Sequence, residues 1–270
     1  MRRNFFIIIL VAFTFQVFAQ IRISGSVLNE KSRQPIEFVN IGIVGKNIGT
    51  VSDRNGNFSL LIDVQHANDS LLFSYIGFES RSVRISEMRE NGIITLSEKS
   101  QLLDEVVVVP RNFRERTFGT TTSSRRIQAG FSQNLGYEAG LLIRNRGVAL
   151  LKSVRANIAS LASGIIFYRL NVYEERGRRN FVNILTEPIY IITSREEILK
   201  NGLQIDLADK NIVVNGNFLV TLERISDLGD CILFFPASFR QRTYFRKTSQ
   251  GSWEAGPIGI ALSVTALVER

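Results

Sequence analysis

Apolar and polar residues alternate along most of the chain in short runs that turn residues interrupt. Between residues 21 and 109 these runs recur at roughly ten-residue intervals, which is typical of a β-sandwich. The Asn55-Gly56 pair supplies the positive φ angles of a tight hairpin turn. The predicted strands are Ile21–Leu28, Phe38–Ile43, Phe58–Ile62, Ser70–Tyr75, Arg81–Ile85, Gly92–Leu96 and Val106–Val109.

The alternation returns after residue 136 and is strongest near the end of the chain. Every second residue from Ile258 to Val268 is apolar, which predicts one long strand with a single buried face. The other predicted strands are Gly140–Ile143, Leu151–Ile158, Ile166–Tyr173, Pro188–Ile192, Phe218–Glu223, Ile232–Phe235 and Thr243–Arg246, and Glu196–Asn201 is the helix-like patch. About eight strands suit a jelly-roll-like sandwich.

Residues 110–135 interrupt this pattern. The stretch is basic and rich in Ser and Thr, and it has little apolar periodicity. Such a segment cannot bury enough surface to fold alone, so a linker is predicted. The predicted organisation is a signal peptide over residues 1–19, a β-sandwich over 20–109, this linker over 110–135 and a second β-sandwich over 136–270.

The start of the chain has the features of a secretory signal peptide. Arg2 and Arg3 precede an apolar run, and small residues stand at the minus-three and minus-one positions before Gln20. A membrane anchor is the alternative, but the run is shorter than the roughly 20 residues of a spanning helix. No cysteine follows the cleavage site directly, which disfavours a lipid anchor. We expect an exported chain in the periplasm, associated with the outer membrane or at the cell surface, with no transmembrane segment after signal removal.

The formal net charge of +8 is unevenly distributed. Residues 20–110 carry −2, residues 111–270 carry +8, and the remaining +2 lies in the predicted signal peptide. An exported basic region would meet polyanionic surfaces such as lipopolysaccharide phosphates, acidic glycans or an acidic protein face, and not nucleic acid. The alternative is a solvated basic surface without a specific partner.

The chain has one histidine, His66, and this limits the chemistry it could perform. A catalytic zinc site draws its ligands mostly from His, Cys and carboxylates, and no HExxH or HxxE motif occurs. No Gly-x-Ser-x-Gly motif occurs either, and the polar surroundings of His66 are typical of a loop. No glycine-rich nucleotide-binding loop is present. The sequence therefore predicts no catalytic residue, no metal and no cofactor, and we expect a protein that is not an enzyme.

Three features of the sequence have more than one interpretation. Cys231, the single cysteine, has apolar neighbours and is interpreted as a buried small hydrophobic residue, with a reactive thiol as the alternative. The segment from Asp53 to Asn57 has a partial calcium-loop pattern, but a hairpin turn is favoured because no glutamate closes the loop. A glycosidase would need two carboxylates. The candidates are Glu138, Glu174, Glu187, Asp206 and Glu223.

The candidate ligand-binding residues are Arg240, Arg242, Tyr244 and Trp253. Aromatic rings stack on sugars, and guanidinium groups bind carboxylates or phosphates with paired hydrogen bonds. The alternative is that the rings fill the core while the charged residues alternate outward.

Four segments of the first half resemble the carboxypeptidase-D regulatory-like domain. They are Ile23–Leu28, Gln34–Ile41, Asn47–Phe58 and Ser70–Glu79. Residues Leu102–Val109 are similar to the segment that closes this domain at the start of TonB-dependent outer-membrane receptors. The resemblance implies a transthyretin-like seven-stranded sandwich that serves as a non-catalytic accessory module. Asp104–Val109 is expected to be a final strand, with a coupling segment as the alternative.

The second half resembles an uncharacterised β-sandwich that follows regulatory-like domains in other exported envelope proteins. The predicted fold class is therefore all-β, a transthyretin-like seven-stranded sandwich plus a jelly-roll-like β-sandwich. The expected role is binding, adhesive or accessory, with an envelope protein or glycan as partner and peripheral outer-membrane association possible. The alternatives are a carbohydrate-binding module, a glycan-active hydrolase using two carboxylates, and an accessory of a TonB-dependent outer-membrane transport system.

Overall fold

The computed structural model describes residues 20–99, 113–132, 134–161, 165–177, 179–226 and 233–269. Over these residues the chain forms twenty-three strands and one α-helix, α1 (Arg195–Asn201), so the predicted all-β class is confirmed. In the same part of the chain, no helix has the length and apolar character needed to cross a membrane. The predictions for the signal peptide, for Asp104–Val109 and for Cys231 fall outside the described residues.

The first unit is a sandwich of two sheets. A three-stranded sheet has the order β4-β1-β7, and a four-stranded sheet has the order β3-β2-β5-β6. Val27, Ile41 and Phe73 are fully buried in the core that these sheets share. Six of the seven predicted strands correspond to β1, β2 and β4–β7, whereas β3 was not predicted and the seventh, Val106–Val109, lies outside the described residues. The strands are β1 (Gln20–Asn29), β2 (Asn40–Gly42), β3 (Gly49–Val51), β4 (Asn57–Asp63), β5 (Ser70–Ser74), β6 (Arg81–Arg84) and β7 (Gly92–Leu96).

The predicted turn at Asn55-Gly56 is present, but it is not a hairpin: it joins β3 and β4, which lie in different sheets, and of the two residues only Gly56 has a positive φ. Asp53 Oδ1 accepts hydrogen bonds from the backbone N–H groups of Asn55 and Asn57, each at 2.8 Å. Gly56 has a φ of +75°, and a Cβ there would lie 2.5 Å from the carbonyl oxygen of Val27. Only glycine fits this position without strain. The Asp53 carboxylate closes the turn, which favours the turn over the calcium-loop interpretation.

The second unit contains sixteen of the described strands, twice the predicted number. Many of them have only two or three residues, too few for an alternating pattern to reveal. The strands are β8 (Phe113–Gly119), β9 (Gln128–Gly130), β10 (Glu138–Ile143), β11 (Val148–Ala156), β12 (Ser160–Leu161), β13 (Ile165–Glu175), β14 (Phe181–Asn183), β15 (Ile189–Ser194), β16 (Leu203–Asp206), β17 (Val213–Asn215), β18 (Phe218–Arg224), β19 (Leu233–Ser238), β20 (Thr243–Arg246), β21 (Glu254–Ala255), β22 (Gly259–Ile260) and β23 (Leu262–Glu269).

Three sheets surround the core of the second unit. The large sheet has the order β14-β13-β18-β10-β20-β21, with β15 also paired to β13. The second sheet has the order β16-β11-β23-β8, with β17 paired to β11, and the third has the order β12-β19-β22, with β9 paired to β19. Val220 of the large sheet, Leu151 and Val264 of the second and Phe235 of the third belong to one buried core.

The predicted last strand is divided in two. β22 pairs with β19, whereas β23 pairs with β11 and β8. The chain therefore passes from one sheet to another at Ala261, which is itself buried. Within β23 the predicted alternation is present, since Leu262, Val264, Ala266 and Val268 are buried while the opposite side becomes more exposed toward Glu269.

The predicted linker over residues 110–135 is corrected by the structure, because β8 and β9 both lie within it. β8 pairs with β23 from Gly119 opposite Ser263 to Phe113 opposite Glu269, and β9 pairs with β19. Phe118 is the one buried residue of β8. An edge strand held mainly by backbone hydrogen bonds lacks the apolar period from which strands are predicted.

β18 is the central strand of the large sheet, and all seven of its residues are buried. Phe218, Val220 and Leu222 belong to the main core. Thr221 and Glu223 lie on the opposite face because successive side chains of a strand alternate. This second face is also covered, and it carries the charged residues described below.

Aromatic contacts join the two units. The ring of Phe38 packs edge-to-face on Phe167 and Tyr190, with centroids 5.0 and 5.5 Å apart. The hydroxyl groups of Tyr75 and Tyr190 are hydrogen-bonded at 2.8 Å. Phe38, Phe167, Val51 and Ile225 form a small buried core between the units.

Backbone from the two units also comes into close contact. A Cβ atom on Gly42 or Gly49 would lie 2.4 Å from the carbonyl oxygen of Ser249. The Gly45 N–H donates to the Gln250 carbonyl at 2.9 Å. Gly42 and Gly49, which have no Cβ atom, allow β2 and β3 to lie directly against the segment that follows β20.

Candidate functional site

Four charged side chains form one row across the covered face of the large sheet. Arg169 of β13 lies opposite Glu223 of β18, and Glu223 lies opposite Glu138 of β10. Glu138 in turn lies opposite Arg246 of β20. The order across the sheet is therefore positive, negative, negative, positive, and all four residues are buried. We call these four side chains the charged row.

Hydrogen bonds connect the charged row from end to end. Arg169 Nε and Nη2 donate to Glu223 Oε2 at 3.1 and 2.8 Å. At the other end, Arg246 Nε donates to Glu138 Oε2 at 2.7 Å. Asn171 Nδ2 joins the two carboxylates, since it lies 3.0 Å from Glu138 Oε1 and 2.8 Å from Glu223 Oε2. Paired and hydrogen-bonded in this way, charged groups are tolerated away from water.

The first unit completes the hydrogen bonding of Arg169. Its Nη1 donates to the carbonyl oxygen of Phe38 at 3.0 Å, and its Nη2 donates to Asn40 Oδ1 at 2.6 Å. Phe38 has a φ of +53°, a left-handed conformation that is uncommon for a residue with a large side chain. The ring of Phe38 thus packs between the units, while its carbonyl oxygen accepts a hydrogen bond from Arg169 of the charged row.

The two carboxylates of the row have pKa values displaced in opposite directions. Burial raises the pKa of Glu138 above its ordinary value; Arg246 opposes this rise, whereas Glu223 adds to it. Burial also acts to raise the pKa of Glu223, but Arg169 and Arg246 outweigh it and hold that pKa below its ordinary value. Glu138 is therefore the carboxylate that takes up a proton first on acidification.

Of the five acidic candidates for glycoside hydrolysis, the structure brings Glu138 and Glu223 together. Their side chains are 0% exposed, and both are occupied by arginines of the same network. Glu174, Glu187 and Asp206 lie apart from this pair, as their own partners indicate. Glu174 accepts from Arg176, Glu187 pairs with Lys210, and Asp206 accepts from the backbone N–H of Ala208.

His66 lies in a single turn of 3-10 helix over Val64–His66, not in an open loop. Its Nδ1 lies 2.7 Å from Asp69 Oδ2, the oxygen that Lys46 Nζ also contacts at 2.6 Å. Hydrogen bonds from Lys46 and His66 hold the pKa of Asp69 below its ordinary value. Among the described residues, no group of three His, Cys, Asp or Glu side chains is placed to hold a metal ion.

A groove lined by arginines lies on the surface of the second unit. It consists of two depressions of about 620 and 660 Å³ that share Arg116 and Arg144. β8, the segment after β10 and the turn between β19 and β20 each contribute to its lining. We call this surface the arginine groove. Its arginines are Arg114, Arg116, Arg144, Arg146, Arg240 and Arg242.

The arginine groove has an excess of positive charge, with six arginines and one acidic residue in its lining. Between described residues, no Asp or Glu forms an ion pair with any of its arginines. Glu269 is the acidic residue in its lining. The guanidinium of Arg116 lies 4.7 Å from the ring centre of Phe118. Arginine keeps its charge at any ordinary pH, and a concave surface of one sign attracts ions of the other.

The structure brings three of the four predicted ligand-binding residues together. Arg240, Arg242 and Tyr244 line the arginine groove. Trp253 does not line the groove: its ring packs edge-to-face on Tyr173 at 5.6 Å and on Phe181 at 5.5 Å, and Phe181 also contacts Tyr244. The Arg246 guanidinium lies 5.2 Å from the ring centre of Trp253, so Trp253 packs beside the charged row, and its role in ligand binding stays a prediction.

Sequence reasoning missed four arginines of the groove, Arg114, Arg116, Arg144 and Arg146. The spacing of Arg114 and Arg116 gives a usable signal, since residues two apart in a strand share a face. The residues around them have the composition of a linker, however, and this hides the signal. The sequence analysis also missed the charged row, whose members come from four separate strands.

Comparison with known proteins identifies the class of the first unit. Residues 23–108 match the model of the CarboxypepD_reg-like domain family. The resemblance predicted from the motifs of this region is therefore confirmed. The match covers about a third of the chain and does not extend over the strands that carry the charged row and the arginine groove.

Two receptors are similar to part of the chain. TonB-dependent receptor P3 of Formosa agariphila is 29% identical over 87 residues, which are 32% of this chain and 8% of that receptor. TonB-dependent receptor P39 of the same organism is 38% identical over 92 residues, which are 34% of this chain and 8% of that receptor. The chain thus spans a small part of the length of these relatives.

Proposed function

We propose that this chain is a non-catalytic protein of the bacterial envelope that serves as an accessory module by binding an anionic partner. The arginine groove carries the proposal. Six arginines line this concave surface against one acidic residue, Glu269, and between described residues none of the six forms an ion pair with a carboxylate. A surface of this kind binds carboxylate, sulfate or phosphate groups with charge-assisted hydrogen bonds.

Export through the predicted signal peptide belongs to the same proposal. The regulatory-like domain and the similarity to TonB-dependent receptors support an envelope location and a transport-associated accessory role. The two units are packed through Phe38, Arg169 and Tyr190, which supports a rigid arrangement. The first unit would then hold the arginine groove in a fixed orientation relative to any partner that the first unit contacts.

The absence of catalysis is part of the proposal and has its own support. The one acidic pair that the structure brings together, Glu138 and Glu223, is buried and ion-paired with Arg246 and Arg169. A glycosidase requires carboxylates that reach a bound sugar from opposite sides. The burial of this pair leaves no such access.

A binding measurement with dextran sulfate as a soluble polyanion tests the proposal. The double variant Arg116→Glu/Arg144→Glu removes the two arginines shared by both depressions, and Arg155→Glu is the matched control. Arg155 is exposed on β11 and does not line the groove. We expect the double variant to bind at least about tenfold more weakly, since hydrogen bonds to charged groups contribute ~1.5 kcal/mol or more each.

Two outcomes would contradict the proposal. The first is equal binding by the double variant and the wild type, because the groove would then not be the site. The second is a loss of binding free energy in Arg155→Glu about half that of the double variant, in proportion to its change of charge, which would show that net charge alone governs binding. Binding should also weaken as salt is raised, since exposed charges are screened.

A further inference from the structure

The turn between β19 and β20 places an exposed aromatic ring beside the arginine groove. Phe239 leaves 75% of its surface exposed, the largest value among the exposed large hydrophobic side chains of the described residues. The next residue, Arg240, lines the groove, as does Arg242 at the end of the turn. Exposing a phenylalanine to water is unfavourable, and here it stands next to fixed positive charge.

We infer that this turn docks the protein on an anionic lipid surface, with Phe239 inserted among the headgroups and the arginine groove bound to lipid phosphates. The inference rests on the proposed function and names the partner of the same groove. An apolar side chain flanked by cationic ones suits the interface of a bilayer, where the ring leaves water and the charges meet phosphates.

The exposure of the other aromatic residues favours a lipid surface over a glycan. A sugar-binding surface presents aromatic rings on which successive sugars stack. In the described part of the chain, Phe239 is the one aromatic side chain that is classed as exposed. Of the two rings in the groove lining, Phe118 is buried, and Tyr244 is half-buried and packs edge-to-face on Phe181 at 5.8 Å. A single protruding ring offers little stacking surface to a polysaccharide, but it is sufficient for insertion among lipid headgroups.

Neither part of the surface would bind a membrane strongly alone. A single small apolar group gives marginal and reversible attachment, and stable binding requires a second signal such as a basic patch. Each arginine near an anionic membrane changes the binding constant by about fivefold, and burial of one phenylalanine by about tenfold or more. The two contributions together predict binding that depends on both lipid charge and Phe239.

Vesicle flotation of the full chain tests the inference. Phosphatidylcholine vesicles are compared with vesicles of phosphatidylcholine and phosphatidylglycerol. The wild type should float with the anionic vesicles only. Phe239→Ala should bind them about tenfold more weakly, whereas Ile192→Ala should match the wild type. Ile192 is a suitable control because it is 63% exposed on β15, which does not line the groove.

A soluble polyanion separates this inference from the proposed function. Phe239→Ala should bind dextran sulfate as the wild type does, because dextran sulfate offers no apolar phase for the ring. Binding to dextran sulfate without any binding to anionic vesicles would overturn the membrane inference and leave the proposed function standing. Failure to bind either would overturn both. Vesicle binding that is unchanged in Phe239→Ala would show that the turn does not insert.

Discussion

Glu138 and Glu223 lie directly opposite each other on neighbouring antiparallel strands, and neither side chain is exposed to solvent. Like charges in this position normally destabilise a sheet. Here Arg169 and Arg246 stand at the two ends of the same row and neutralise the pair. The row is a sheet-wide network in which each charge depends on its neighbours, and Arg169 extends it to the first unit.

Removing Arg169 should destabilise the protein strongly. Arg169→Met removes the closer of the two arginines that compensate buried Glu223 and leaves it only Arg246 at 3.8 Å, and breaking a buried ion pair costs about 3–5 kcal/mol of the free energy of unfolding. The double variant Arg169→Met/Glu223→Gln removes that charge and should recover ~1 kcal/mol or more, since a buried charge without its partner is what costs most. Denaturant unfolding measures both.

Arg155→Met is the matched control for Arg169→Met, because Arg155 is exposed and should change stability by less than about 0.5 kcal/mol. If the single and double variants at the charged row were equally unstable, loss of packing and not unpaired charge would explain the effect of Arg169.

Glu138 and Glu223 should give opposite trends of stability with pH. Glu138 has a raised pKa in the folded state. Above pH 4.5, the ordinary pKa of a glutamate, the unfolded chain releases a proton that the folded protein still holds. Its contribution is complete below that pH and is lost as pH rises through the folded-state pKa. Glu223 has a lowered pKa, so its contribution is present above 4.5 and is lost as pH falls through its folded-state pKa.

Unfolding experiments on Glu138→Gln and Glu223→Gln across the acidic to neutral range test these signs. The destabilisation caused by Glu138→Gln should shrink as pH rises, because the wild type loses a contribution that the variant never had. The destabilisation caused by Glu223→Gln should shrink as pH falls. Parallel trends in the two variants would contradict the assigned directions.

Local features of the fold were predictable from the sequence, and features that join distant segments were not. The Asn55-Gly56 turn is evident because its chemistry lies within a few residues. The polar residues of β13, Arg169 and Asn171, alternate with apolar ones, which indicates a strand with a solvent-facing side. That side is buried because Phe38 and Asn40 of the first unit contact Arg169 and Trp253 of the second unit packs on Tyr173, and no periodicity within β13 contains that information.

The residues of the arginine groove likewise fall into those that were predictable from the sequence and those that were not. Arg240, Arg242 and Tyr244 are neighbours in the chain and are recognisable as one basic and aromatic group. The arginines of β8 join them because backbone pairing with β23 places that strand at the edge of the second sheet. Such a placement depends on a pairing between segments about 150 residues apart, for which a single sequence gives no direct signal.

The close approach of the two units should be sensitive to one methyl group. In Gly42→Ala the new Cβ would lie 2.4 Å from the Ser249 carbonyl oxygen, so the backbone must move. We expect a loss of about 1–3 kcal/mol, as for other overpacked sites. Hydrogen exchange should also become faster at the Gly45 amide, which donates to Gln250 across the same contact.

Gly147→Ala is the matched control for this substitution, because nothing lies within 4 Å of the place that its new Cβ would take. It should leave both stability and exchange at the Gly45 amide near the wild-type values. A stable Gly42→Ala protein with unchanged exchange would mean that the units do not pack as described.

The purified protein should release no sugar from polysaccharides, because its two adjacent carboxylates are inaccessible. Glu138 and Glu223 are 0% exposed, and each is bound by an arginine that a catalytic acid or nucleophile would have to leave. Reducing-sugar release is the appropriate measurement, with Glu138→Gln and Glu223→Gln as test variants. Glu187→Gln is the control, since Glu187 is an exposed carboxylate that pairs with Lys210. Hydrolysis by the wild type that disappeared in either test variant but persisted in Glu187→Gln would require the charged row to open to substrate and would contradict its role as a buried structural network.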